Sequence, residues 1–299
     1  MRRALIASTL VASAALAFAT FGGFAAADEK PAAATLESAT KAFEEGRFDD
    51  CAKACADLPK TGDEGARALY LRGESLLLLH KAEEAEKDFR AVLKLHAKSV
   101  PARIGLGRAL AAKGSLEDAE KELREVVKTE KKNAVAHRAL GEVLVARQQY
   151  SDARTILNKA WKLDEGNPLT AIPLVDAELG YKNAKGALGI AKDVVKAHPD
   201  HPVGHFLAGR ALEYDGEWEA AVEAYEKAVA CDDTYLDAHK NLAIVLHTQN
   251  PMYRDRPMLD KAMTHYARYF ELGGNAPELR DIYDKMVAFV KWWDEQQGK

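Results

Sequence analysis

Nine histidines, three cysteines and 46 carboxylates are the side chains that could do chemistry in this 299-residue sequence. His198, His201 and His205 stand close enough to suggest a metal, since imidazole nitrogens are ready zinc ligands. Three histidines recur in one context, however: Ala-His137-Arg-Ala-Leu-Gly, Gly-His205-Phe-Leu-Ala-Gly and Ala-His239-Lys-Asn-Leu-Ala. A residue repeated in frame belongs to a scaffold rather than to a single site. Cys51 and Cys55 are four apart, one above the other on a helix, and helical backbone rarely brings such a pair to disulfide geometry. With no histidine beside them they make a poor metal site, and small apolar packing is their expected role; the third cysteine is Cys231. Carboxylates such as Glu83, Glu84 and Glu86 alternate with lysines such as Lys87, which reads as the solvated face of a helix. There is no Gly-x-Ser-x-Gly, no phosphate-binding Gly-rich loop and no His-Glu-x-x-His. The sequence therefore assigns no catalytic residue, no cofactor and no metal, and a non-enzymatic protein is expected.

The elements that carry these residues follow a period of 34. Gly73, Gly107, Gly141 and Gly209 share one grid, with Ala39, Val175 and Ala243 at its other points. Ala85, Ala119, Ala153, Ala187 and Ala221 make a second, with Cys51 one step earlier. Phe89, Leu123, Leu157 and Tyr225 make a third, with Cys55 and Ala191 in the same frame. Leu76, Leu110, Leu144, Leu212 and Leu246 make a fourth, broken by Glu178. Small residues at fixed places allow close helix approach, and the large apolar ones fill the space between. Gly46, Gly114 and Gly216 mark turns, after which Phe48, Leu116 and Trp218 begin second helices; Asn167-Pro168 and Pro199 mark boundaries between repeats. Pro173 falls inside a first helix and is expected to kink or shorten it.

At these residues the chain resembles the tetratricopeptide repeat family. Leu106-Gly107-x-x-Leu110 and Leu140-Gly141-x-x-Leu144 match the first part of its pattern, Ala85-x-x-x-Phe89 and Ala221-x-x-x-Tyr225 the second, and Pro199 falls at the proline place. The resemblance implies an all-α fold: an α-solenoid of about seven helix-turn-helix repeats over residues 28–274. The last repeat carries an insertion at about 249–258, after which Ala262 and Tyr266 resume the pattern. Residues 275–299 are expected to form a capping helix, with Asn275 as its cap, Pro277 in its first turn, and Leu279, Ile282, Tyr283, Met286, Phe289, Val290 and Trp293 on one face. Solenoids need such a helix to close the last apolar face.

In this family the first helix of each repeat lines a concave face. Carried over residue by residue, two places in each first helix point inward: Tyr70 and Glu74, Ile104 and Arg108, Arg138 and Glu142, Ile172 and Asp176, Phe206 and Arg210, Lys240 and Ile244. Arg108 with Arg138, and Arg210 with Lys240, are 30 residues apart, and Glu142 and Asp176 fall between these pairs. The expected wall is basic, acidic, then basic, with apolar residues interleaved. It suits a protein or peptide segment of mixed charge with apolar anchors. Because neither belongs to a packing grid, reversing the charge of Arg108 and Arg138 is expected to leave the fold intact. The Lys and Asn constellation with which some relatives grip a terminal carboxylate is not reproduced, since Lys240-Asn241 stands alone.

The first 27 residues read as a secretory signal: Arg2 and Arg3, an uncharged run from Ala4 to Ala19, then Ala25-Ala26-Ala27 before Asp28. The alternative is an uncleaved inner-membrane anchor, because the run is just long enough to span a bilayer. The formal net charge is −4, and −6 once residues 1–27 are removed. That gives no electrostatic reason to bind nucleic acid, and no membrane insertion is expected after cleavage. The expectation is an exported, periplasmic or secreted scaffold that binds a partner through its groove. The alternatives are a structural subunit of a fixed envelope or secretion complex using the convex face and C-terminal helix and, more remotely, the substrate-binding part of an enzyme.

Overall fold

The computed structural model describes residues 35–250 and 253–298. The expected signal segment lies outside the described residues, as does part of the insertion. Fifteen α-helices and no strand occur among the described residues, in two compact units that meet at Leu163 and Asp164. The first unit holds α1 (Leu36–Glu44), α2 (Phe48–Ala56), α3 (Gly62–Leu78), α4 (Ala82–Leu95), α5 (Val100–Lys113), α6 (Leu116–Thr129), α7 (Ala134–Ala146) and α8 (Tyr150–Leu163). The second holds α9 (Pro168–Gly180), α10 (Ala184–Ala197), α11 (Pro202–Asp215), α12 (Trp218–Cys231), α13 (Leu236–Thr248), α14 (Arg256–Glu271) and α15 (Pro277–Gln296). Within each unit, helices pair as antiparallel hairpins and each hairpin packs on the next. In the first unit the first helices α3, α5 and α7 lie side by side.

The turn inside each hairpin is set by one left-handed residue. Gly46, His80, Gly114, Gln148, Lys182 and Gly216 all have positive φ, between 59° and 89°, at a spacing of 34. Glycine adopts this backbone without strain, whereas His80, Gln148 and Lys182 carry a Cβ into it. The packing grid is equally regular. A Cβ added at Gly107 would stand 2.5 Å from Leu123, and one at Gly141 2.3 Å from Leu157. Gly73 and Gly209 meet Phe89 and Tyr225 in the same way. Each grid glycine is therefore the seat of the large side chain 16 residues later, and those large residues are fully buried. Phe89 also presses on Gly105 of the next hairpin, so it joins two repeats. Cys51 and Cys55 are buried among Ala39, Phe43 and Leu71, in the packing role expected of them, and are not bonded to each other.

Several expectations need correction. α9 runs 13 residues through Pro173, as long as α7, so the proline does not shorten it. Its missing N–H costs one hydrogen bond, while Ala171, Leu174 and Val175 beside it are fully buried and hold the helix in place. Glu178, at a leucine position, is buried and accepts a hydrogen bond of 2.6 Å from Asn183 Nδ2. Asn183 Oδ1 in turn caps α10 by accepting from Gly186 N. The cap of α15 is Ala276, with no side-chain hydrogen bond, rather than Asn275. The helix after the insertion begins at Arg256, inside the expected loop, because Asp255 caps it by accepting from Met258 N. Asn250 ties the loop shut, donating to Asp255 O and accepting from Asp255 N. Ala262 and Tyr266 then resume the pattern, both fully buried. On α15, Met286 is buried and the rest of the expected face is half-buried, while Val287 and Trp292 are exposed.

Candidate functional site

The inward places of the first helices divide into two kinds. Those at the first place are mostly core. Tyr70 stacks edge-on against Phe89, with ring centroids 5.9 Å apart, and Ile104 is buried beside it in sequence frame. Phe206 is buried between Tyr225 and Tyr235 at 5.8 and 5.1 Å. Tyr70, Ile104 and Phe206 are thus not apolar residues left in water awaiting a partner. Their aromatic and aliphatic bulk fills the joint between a first helix and its neighbour. Arg138 is also buried, while Ile172 and Lys240 are half-buried.

The second place forms the wall. Glu74, Arg108, Glu142, Asp176, Arg210 and Ile244 follow one another at a spacing of 34. In the first unit, Arg108 Nη1 donates to both carboxylate oxygens of Glu74, at 3.1 and 2.9 Å. Glu74 is 1% exposed, so this ion pair is closed to water. Burial opposes the charge of Arg108, but the neighbouring carboxylate outweighs it and holds the guanidinium firmly protonated. Burial also pushes the Tyr70 phenol up, and the Glu74 charge adds to the effect. Glu142 differs from Glu74. Its side chain is 48% exposed, and its ion pair with Arg138 Nε is 3.6 Å long. It accepts no hydrogen bond among the described residues. Burial raises its carboxyl above the ordinary value despite the pull of Arg138 and Arg108.

In the second unit, Arg210 Nη2 donates to Asp176 Oδ1 at 2.7 Å, and the two side chains are 26% and 25% exposed. Arg210 also lies over the Phe206 ring, 5.9 Å from its centroid. Lys240 pairs with Asp237 three residues earlier. The expected alternation of basic and acidic blocks is therefore replaced, within each unit, by cations already matched to acids. Residues 30 apart do not make these pairs; residues 34 apart do. Opposite charges at one repeat period were the available signal. Asp237 and Tyr235 complete this wall without having been foreseen. The Tyr235 hydroxyl is buried and unpaired.

The in-frame histidines serve the scaffold. His137 Nδ1 meets Asn133 O at 2.9 Å, His205 Nε2 meets Pro199 O at 3.2 Å, and His239 Nε2 meets Asp233 O at 3.0 Å. Each ties its first helix to the turn before it. Among the described residues no group of three or more His, Cys, Asp or Glu side chains could hold a metal ion, and no helix is long and apolar enough to cross a membrane.

These hairpins define an α-solenoid. Residues 76–143 and 174–235 each match a family model described as tetratricopeptide repeat, and the chain carries tetratricopeptide repeats. The fold is similar to that of a tetratricopeptide repeat protein from Parabacteroides merdae, with TM-score 0.65 and 13% identity over 84% of this chain and 97% of that one. It is also similar to the APC/C hetero-tetramer Cut9–Hcn1, with TM-score 0.62 and 16% identity over 84% of this chain and 48% of that one, so the match spans about half of the latter. The C-terminal part of a repeat-containing protein from Cytophaga hutchinsonii matches with TM-score 0.52 and 16% identity, over 82% and 98%. At these identities the likeness is one of fold. No curated protein matches the chain.

Proposed function

We propose that the protein is a non-enzymatic scaffold of the cell envelope that binds a protein or peptide along the inner wall of its repeats. Tetratricopeptide repeats generally mediate protein–protein interactions, and the wall supports that use here. The observation that carries the reading is the in-frame row of charged residues on rigid first helices, from buried Glu74 to half-exposed Glu142 in the first unit and from Asp176 to Ile244 in the second. Such a row presents charge at fixed spacing with little conformational entropy to lose on binding. Export to the periplasm, or secretion, is the reading of residues 1–27; intact mass of the exported protein should show a start near Asp28.

A photo-reactive amino acid at Glu142 or Ile244 should cross-link a partner in the native envelope, while one at Glu125, exposed on a second helix, should not. Cross-links from Glu125 but none from the wall would overturn the wall reading. The second reading, a fixed subunit that uses α15, is favoured by Trp292, which is 54% exposed. Cross-links confined to Trp292 would establish it.

A further inference from the structure

The row of Glu74, Arg108 and Glu142 places one cation between two acids at equal spacing, yet Arg108 gives its Nη1 to Glu74 alone. Glu142 is left with a contact to Arg138 longer than a hydrogen bond. Its side chain reaches solvent, but its surroundings displace enough water that burial, not the two arginines, decides its protonation. A carboxylate in that position has paid for desolvation without gaining a full partner. A cationic group arriving from outside would supply what the protein does not. No other group on this wall of the first unit is so placed. Glu74 is sealed by Arg108, and the Arg108 and Arg138 side chains are only 16% and 10% exposed.

We infer that Glu142 is the receptor for a cationic side chain, a lysine or arginine of the bound segment, on the inner wall of residues 35–163. This rests on the wall reading above and names the chemistry of one contact within it. The contact is a charge-assisted hydrogen bond of the ligand's ammonium or guanidinium to a carboxylate in a recess where water competes weakly. The facing Arg138 and Arg108 restrict it to a single cation, because a second would meet them.

The test begins with random peptides displayed against the full chain and against Glu142→Gln. The best lysine- or arginine-bearing peptide is then resynthesised with that residue as norleucine. Four affinities, wild type and Glu142→Gln against parent and norleucine peptides, make a double-mutant cycle. Expected is a loss of about tenfold or more for either single change and no further loss for the pair. Glu142→Lys should shift selection toward acidic peptides. Melting of Glu142→Gln should be unchanged or higher, because a poorly satisfied charge has been removed. Additive losses in the cycle, or selected peptides without a basic residue, overturn the inference while leaving the wall reading intact if Arg210→Ala or Ile244→Ala still weakens binding. Selected peptides indifferent to all of these substitutions overturn both.

Discussion

The two units use one register for two kinds of wall. Glu74, Arg108 and Glu142 in the first become Asp176, Arg210 and Ile244 in the second. The first arginine sits in a closed pair with a carboxylate that is 1% exposed, the second in an open pair with one that is 25% exposed. The second unit also exchanges a charge for an isoleucine at its last rung. Beneath both walls the packing grid persists. What the comparison teaches is that the scaffold occupies most of each repeat, and that a single inward place per repeat is free to vary in charge and size. That same place also reaches the core where it is sealed, so recognition and stability are not separable at Arg108 as they are at Glu142.

The largest expected effect breaks the closed pair. Arg108→Ala leaves a buried, unpaired Glu74 and should destabilise the first unit by about 3–5 kcal/mol. Arg210→Ala leaves a partly solvated Asp176 and should cost about 1 kcal/mol or less. Urea unfolding followed by circular dichroism measures both. Equal losses would mean that the two pairs are not closed and open as described. The expectation that reversing Arg108 and Arg138 spares the fold also falls here, since Arg108→Glu would set a second carboxylate against Glu74.

The next effect concerns the grid. Where the first unit has Gly73 beneath Phe89 and Gly107 beneath Leu123, the second has Val175 in register with Ala191, all four of the larger partners and Val175 being fully buried. The large and small places have been exchanged. Val175→Gly should open a void and Ala191→Leu should overpack, each by about 1–3 kcal/mol. The double change should recover much of either loss. A double variant as unstable as the sum of the singles would show that the two positions do not share one volume.

Acid should separate the units further. His201, His239, His247 and His265, all in the second unit, have pKa values lowered by burial, and His265 is brought down to about 4. His239 Nδ1 and His265 Nδ1 are 3.0 Å apart, and His239 Nε2 is engaged with Asp233 O. Only one proton fits between the two rings. Each group has a lower pKa folded than unfolded, so its stabilising effect is present above pH 6.5 and is lost as pH falls from there toward about 4. In the first unit, Glu86 and Glu120 are held below the ordinary carboxylate range by hydrogen bonds to lysine or arginine, which outweigh burial at Glu120, so their loss begins only below about pH 4.5. Limited proteolysis at pH 7 and pH 5 should therefore cut the second unit first. Cleavage that begins in residues 35–163 would contradict the assignment.

Much of this was legible in the sequence, because a repeat prints its packing at a fixed interval. Gly107 and Leu123, or Gly141 and Leu157, stand out when the chain is folded on 34. So do the in-frame histidines and the left-handed Gly46, Gly114 and Gly216. What escaped was which side of the inner place a residue falls on. Tyr70 and Phe206 occupy positions that face inward in the pattern, yet their rings are long enough to turn into the helix joint and stack there. The pairing of Glu74 with Arg108 escaped because charges were compared at the 30-residue offset between neighbouring places rather than at the full period. Asn275 looked like a cap by residue type, but the chain enters α15 one residue later.

The smallest effect tests the one feature that is the same in both units. The hairpin turn is left-handed whether glycine fills it, as at Gly114 and Gly216, or not, as at Gln148 and Lys182. A side chain in that backbone costs about 1–2 kcal/mol, and glycine gives back part of this through the greater freedom of the unfolded chain, about 0.4–1 kcal/mol. Gln148→Gly in the first unit and Lys182→Gly in the second should each stabilise by a net ~0.5 kcal/mol, about the same in both because the strain is local. Gly114→Ala should destabilise by about 1 kcal/mol, with no contact to blame, since nothing lies within 4 Å of the added Cβ. Melting temperatures of the three variants decide it. If Lys182→Gly loses stability while Gln148→Gly gains it, then Lys182 contributes through its side chain, and the turns of the two units are alike only in their backbone.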